Sequence, residues 1–179
     1  PDWAADSIST LDQIVQDQGP FYGILGYSQG SAFAPVYLST VATGTFQVAL
    51  LFCGYVPTTH TGLVGRIDGA TPFGDIPALV WMGANDYTIT NSMTQEQSTK
   101  FTSPNVITSS TGGHAVPSSS DSTFSDVASF IRARHIERFA AAVATAAESV
   151  AATALGIAVL ATVAVAAAAV TAAAALASA

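Results

Sequence analysis

A net charge of −7 over 179 residues, with only five Lys and Arg, excludes a nucleic-acid binder, because no basic stripe exists to neutralise phosphates. Half of the residues are hydrophobic, enough for one domain with a real core, but much of that fraction is alanine in the last forty or so positions, so the globular part is nearer 138 residues. The single cysteine, Cys53, allows no internal disulfide and fits a reducing, cytoplasmic compartment.

Pro1-Asp2-Trp3 is followed by no positive n-region and no apolar h-region, so no signal peptide is expected, and the start reads as the middle of a longer protein. Asp6 or Ser7 is placed to cap a helix running to about Gln18, with Ile8, Leu11 and Val15 on one face. Gly19-Pro20 ends it. Phe21 to Leu25 reads as a short buried strand, and Ser31 to Thr43 as a helix that Pro35 should kink or deprive of a bond. Phe46 to Tyr55 is the next strand, near-continuously apolar as a parallel strand covered on both faces should be. Val56 to Pro77 reads as irregular, rich in glycine, proline and threonine. Ala78 to Gly83 is another buried strand, Asn91 to Phe101 a helix, Asn105 to Ser109 a short strand. Ser120 or Asp121 caps a last helix to about Arg138, whose apolar face is Phe124, Val127, Ala128 and Ile131. This alternation predicts an α/β fold with a mostly parallel sheet flanked by helices, and in such sheets sites form at the carboxyl ends of the strands.

Three chemically capable residues fall at those ends. Gly26-Tyr27-Ser28-Gln29-Gly30, between a strand and a helix, has the outline of a nucleophile elbow, with Ser28 at its apex. The glycines at 26 and 30 are expected where strand and helix crowd together, and the Gln29 backbone N–H is a natural oxyanion donor. Asp86 follows the Ala78–Gly83 strand and His114 follows the Asn105–Ser109 strand, in the chain order Ser, Asp, His. A serine hydroxyl needs a base to take its proton, an imidazole titrates near neutrality, and a buried carboxylate fixes the imidazole's tautomer. Gly112 and Gly113 should let the His114 loop approach Ser28. Residue by residue, plainer readings stand beside these: Asp86 as a turn aspartate, His114 as a loop histidine. Asp68 and Asp75 are rival acids but precede the strand, His60 reads as a solvated loop residue, and Cys53 as a core strand residue. Cysteines and histidines are too few and too scattered for a metal site, and no cofactor is implied.

Taken together, Gly19-Pro20-Phe21-Tyr22-Gly23-Ile24-Leu25-Gly26-Tyr27-Ser28-Gln29-Gly30, Phe52-Cys53-Gly54-Tyr55-Val56-Pro57, Ile76-Pro77-Ala78-Leu79-Val80-Trp81-Met82-Gly83 with Asp86, and Gly112-Gly113-His114-Ala115-Val116-Pro117 resemble four ordered motifs of the FSH serine hydrolases. The resemblance covers residues 1–138. It implies an α/β-hydrolase fold, a small-molecule carboxylic ester or thioester substrate, and the roles of nucleophile, acid and base for Ser28, Asp86 and His114. It also implies strands ahead of the elbow helix that carry a second oxyanion donor. Only 27 residues precede Ser28, so an N-terminally truncated domain is expected. A non-catalytic remnant and an acyltransferase with the same triad are the alternative functions.

Residues 139–179 form a separate segment, mostly Ala, Val and Thr, uncharged after Glu148. The run exceeds the ~20 residues that span a bilayer, and Arg132, Arg134 and Arg138 precede it as a cytoplasmic flank would. A membrane anchor, a soluble alanine-rich helix and a disordered extension are the three readings of this tail.

Overall fold

The structure, a computed structural model, describes residues 4–137, 140–145 and 148. The chain divides into two compact units, Pro1–Ile131 and Arg132–Ala179. In the first, the order is α1 (Ala5–Gln18), β1 (Gly23–Tyr27), α2 (Gln29–Leu38), β2 (Val48–Phe52), α3 (Thr61–Ala70), β3 (Ala78–Gly83), α4 (Asn91–Ser98) and β4 (Asn105–Ser109), and residues 124–131 are again helical.

The four strands form one parallel sheet in the order β1-β2-β3-β4. Alternation along the strands builds two cores. Ala49, Leu51, Ala78 and Val80 pack with Ala34, Val36 and Tyr37 of α2, Leu63 and Ile67 of α3, and the partly buried Ile8, Leu11 and Val15 of α1. On the opposite face, Phe52, Leu79 and Trp81 pack with Val127 and Phe130. Every residue of β3 is buried, whereas β1 lies at a sheet edge with Leu25 63% exposed.

Register brings the strand ends to one rim. Tyr27 pairs with Phe52, Phe52 with Trp81, and Gly83 with Ser109. The ladder then continues one residue further: Ser28 N–H donates to Phe52 (2.9 Å), Cys53 N–H to Trp81 (2.9 Å) and Ala84 N–H to Ser109 (2.8 Å). The loops that follow these residues therefore all leave the sheet together.

Several elements differ from the expectation. α1 is preceded by Ala4 with no side-chain cap, so Asp6 and Ser7 lie inside the helix. β1 sits two residues later than Phe21–Leu25. α2 stops at Leu38, because Ser39 and Thr40 turn their hydroxyls onto the Val36 and Tyr37 carbonyls (2.6 and 2.7 Å). The stretch from Val56 to Pro77 contains α3: three glycines and a threonine mask it, but Leu63 and Ile67, one turn apart, are both buried in the core, and that burial overrides weak propensity. On the last helix Val127 is buried, while Phe124 and Ile131 are 40% and 36% exposed.

In the second unit residues 132–137 and 140–145 are helical, and Arg134 pairs with Glu137 at 2.9 Å. No helix among the described residues is long and apolar enough to cross a membrane. The membrane anchor, one of the three readings of 139–179, falls mostly outside the described residues.

Candidate active site

Ser28 occupies the turn between β1 and α2 with φ 53° and ψ −119°. A side-chain-bearing residue held in such a region costs about 1–3 kcal/mol, which the surrounding packing must over-determine. Gly26 permits the close packing: a Cβ there would stand 2.5 Å from the Gly30 carbonyl and from Ser31 Cα. Gly30 departs from the expectation, since a Cβ on it would meet nothing within 4 Å. The crowding falls on the strand side of the elbow alone.

His114 lies across the rim from Ser28. Its Nε2 is 2.9 Å from Ser28 Oγ, and its Nδ1 is 2.8 Å from Asp86 Oδ2. The partners set the tautomer: Nδ1–H donates to the carboxylate, leaving Nε2 to accept from the hydroxyl. The Asp86 side chain is buried, and its other oxygen accepts the backbone N–H groups of Thr88 (2.9 Å) and Ile89 (2.8 Å). Burial pushes the Asp86 carboxyl up, but bonds from His114, Ile89, Thr88 and the Cys53 thiol outweigh it and hold the group below its ordinary value. Asp86 is thus both the turn aspartate and the histidine's partner. Of the rival acids, Asp68 pairs with Lys100 at 2.7 Å and Asp75 is exposed.

The His114 loop is held from three sides. Asn85 N–H donates to the Gly112 carbonyl (2.8 Å), and Tyr27 Oη donates to the His114 carbonyl (2.9 Å) with its ring centroid 5.1 Å from the imidazole. The third contact comes from Cys53, which is fully buried just past β2 at φ 49° and directs its Sγ at the Ala115 carbonyl (3.4 Å). Close approach is required at Gly112, where a Cβ would be 2.8 Å from the Trp81 ring; at Gly113 it would make only an ordinary contact.

Sequence reasoning gives Tyr27 no role and places Cys53 simply in the core of a strand. Tyr27 is one of the two variable positions of the Gly-x-Ser-x-Gly pattern, and Cys53 falls within the apolar run Phe46 to Tyr55 that reads as one strand. Cys53, Asp86 and His114 offer sulfur, oxygen and nitrogen donors within 4.8 Å of one another, so the chain brings together what is scattered in sequence. The nitrogen and carboxylate facing each other there are already paired, and burial, with a smaller push from Asp86, lifts the thiol to about 11. A cation would have to break that pair and displace the thiol proton.

Gln29 starts α2 and, with Ala32, Phe33, Val36, Tyr55 and His60, lines a cavity of about 310 Å³ beside the elbow helix. His60 is half-buried there, not a fully solvated loop residue.

Comparisons with known proteins agree with this architecture. Esterase OVCA2 of Xenopus tropicalis is 32% identical over 116 residues, covering 62% of this chain and 47% of the relative. The chain therefore spans about half the length of that curated relative. The crystal structure of acyl-protein thioesterase 2 of Zea mays shares the fold with a TM-score of 0.53 at 16% identity, covering 72% of this chain and 63% of that one. The family model described as "Serine hydrolase (FSH1)" matches residues 3–125, the stretch that carries Ser28, Asp86 and His114, and the chain belongs to that serine hydrolase family.

Proposed function

We propose that this domain hydrolyses a small-molecule carboxylic ester or thioester through Ser28, His114 and Asp86. The observation that carries the reading is the relay of two bonds through one imidazole, 2.9 Å to the hydroxyl and 2.8 Å to a buried carboxylate. Ser28 Oγ attacks the carbonyl carbon while His114 Nε2 takes the hydroxyl proton. The carbonyl π electrons move onto oxygen, and the Gln29 N–H at the amino end of α2 is the donor we assign to that oxyanion. Collapse re-forms the carbonyl and breaks the bond to the alcohol or thiol, which leaves with the proton from Nε2. Water then attacks the acyl-enzyme, giving its proton to Nε2, and Ser28 leaves with that proton. Asp86 stays ionised throughout, holding Nδ1–H and stabilising the imidazolium.

A fluorophosphonate probe and p-nitrophenyl acetate test the proposal. Covalent labelling and turnover that vanish in Ser28→Ala and His114→Ala are expected. A folded wild-type chain that neither labels nor turns over would overturn it, in favour of a non-catalytic domain. Transfer of the acyl group to an added alcohol in preference to water would instead identify an acyltransferase.

A further inference from the structure

Pro35 lies inside α2, seven residues beyond Ser28, and has no N–H to give to the carbonyl four residues back. That carbonyl belongs to Ser31, in the first turn of the elbow helix, and Ser31 is fully buried. A buried carbonyl with no donor is destabilising, because the hydration it gives up is not replaced. The missing donor comes from another element: Gln97 of α4 places its Nε2 2.6 Å from Ser31 O. The bond is reciprocal, since Ser31 Oγ donates back to Gln97 Oε1 at 3.3 Å. Gln97 is itself fully buried.

One turn earlier on α4, the buried Thr94 Oγ1 donates to the Gly54 carbonyl at 2.8 Å. Gly54 follows Cys53, and a Cβ on it would collide with Gln97 Oε1 and Ser31 Oγ. The α4 helix in turn starts directly after the Asp86 loop, with Asn91 only two residues beyond Ile89. Two side chains of α4 thus tie together the elbow, the end of β2 and the segment that carries the acid.

We propose that Gln97 is a positioning residue: it supplies the hydrogen bond that Pro35 denies to Ser31 and so holds the first turn of α2, with Ser28 and the Gln29 N–H, in its working geometry. The proposal rests on the ester-hydrolysis reading given above. Gln97 touches no reacting atom and acts through Ser31.

Pro35 supplies its own control, because Pro35→Ala restores a backbone N–H at the position where Ser31 O needs one. Wild type, Gln97→Met, Pro35→Ala and the double variant are compared by circular dichroism, fluorophosphonate labelling rate and ester kinetics. Expected is a folded Gln97→Met with kcat lower by about ten- to a hundredfold and KM nearly unchanged, as a small misplacement of reacting groups produces. Pro35→Ala alone should match wild type, and the double variant should recover most of the lost kcat. Where Gln97→Met does not fold by itself, Gln97→Asn, which keeps an amide but draws it back from Ser31 O, takes its place in the same comparison, with the same expected fall in kcat and the same recovery with Pro35→Ala. A folded Gln97→Met with wild-type kcat overturns it. So does a double variant that fails to recover kcat or to fold, and so does activity that merely tracks the folded fraction. A wild-type chain that is folded but unlabelled defeats the hydrolase reading instead, and that result shows before any variant is made.

Discussion

Two loops of this domain use the same local chemistry for different ends. In the first, Asp86 accepts backbone N–H groups two and three residues ahead and closes a turn after β3. In the second, Asp121 accepts the N–H and hydroxyl of Thr123, at 2.8 and 2.7 Å, just before the last helix. Each spends its remaining oxygen on a partner from the β4 side of the sheet: Asp86 on His114, Asp121 on the Ser109 hydroxyl at 2.7 Å. Both carboxyls are held below their ordinary value. For Asp121 the bonds from the Thr123 side chain, the Thr123 backbone and Ser109 do this nearly unopposed, whereas for Asp86 similar bonds must first overcome burial. The turn is therefore generic. What sets Asp86 apart is burial and a titratable partner that faces the Ser28 hydroxyl.

The same substitution at both positions separates these roles. Asp86→Asn keeps the turn but offers His114 an amide, so the wrong tautomer is favoured, and kcat should fall by about 10³- to 10⁴-fold. Asp121→Asn should leave kcat and labelling unchanged. A comparable loss of activity at both sites would erase the contrast.

Acid titration tests what the loops share. Each depressed carboxyl binds its proton more weakly folded than unfolded, so its contribution is complete above the unfolded value near 4, and it is lost as pH falls through the folded value. Stability measured by denaturant melts should therefore decline below about pH 5, and each Asp→Asn variant should show a shallower decline. A variant as steep as wild type would remove its carboxyl from the account.

At neutral pH, Asp121→Asn or Ser109→Ala should each cost about 1 kcal/mol, a melting shift of a few degrees, with the kinetics intact. The smallest expected effect is at Cys53. Its thiol is buried and lifted to about 11, so iodoacetamide should leave it unmodified at pH 7 in the folded protein and modify it once the protein is unfolded. Rapid alkylation of the folded chain would mean that the packing around Cys53 opens.

Ser28, Asp86 and His114 could be picked from the sequence because each follows an apolar strand, and parallel strands release their loops at one end. The strands Ala78–Gly83 and Asn105–Ser109 were legible to the residue for the same reason: each apolar or β-branched run ends abruptly in turn residues. Helix α3 was not legible, since only two residues, Leu63 and Ile67, carry its burial against three glycines. Gln97 was not legible either. A glutamine in a polar run, Gln95-Glu96-Gln97-Ser98, reads as solvated surface, and only the approach of α4 to α2 turns it inward onto a carbonyl that Pro35 has left bare.

Order along the chain and local pattern determined by themselves the class of fold, the strained serine turn and the three residue types able to take part in acyl transfer, because these depend on spacing and on the chemistry of single side chains. Tertiary structure alone decided which nitrogen of His114 meets which oxygen, that Cys53 lies beneath the pair, and that Gln97 completes a helix in which it has no place. Those relations join residues tens of positions apart, and parallel register and packing alone set their distances.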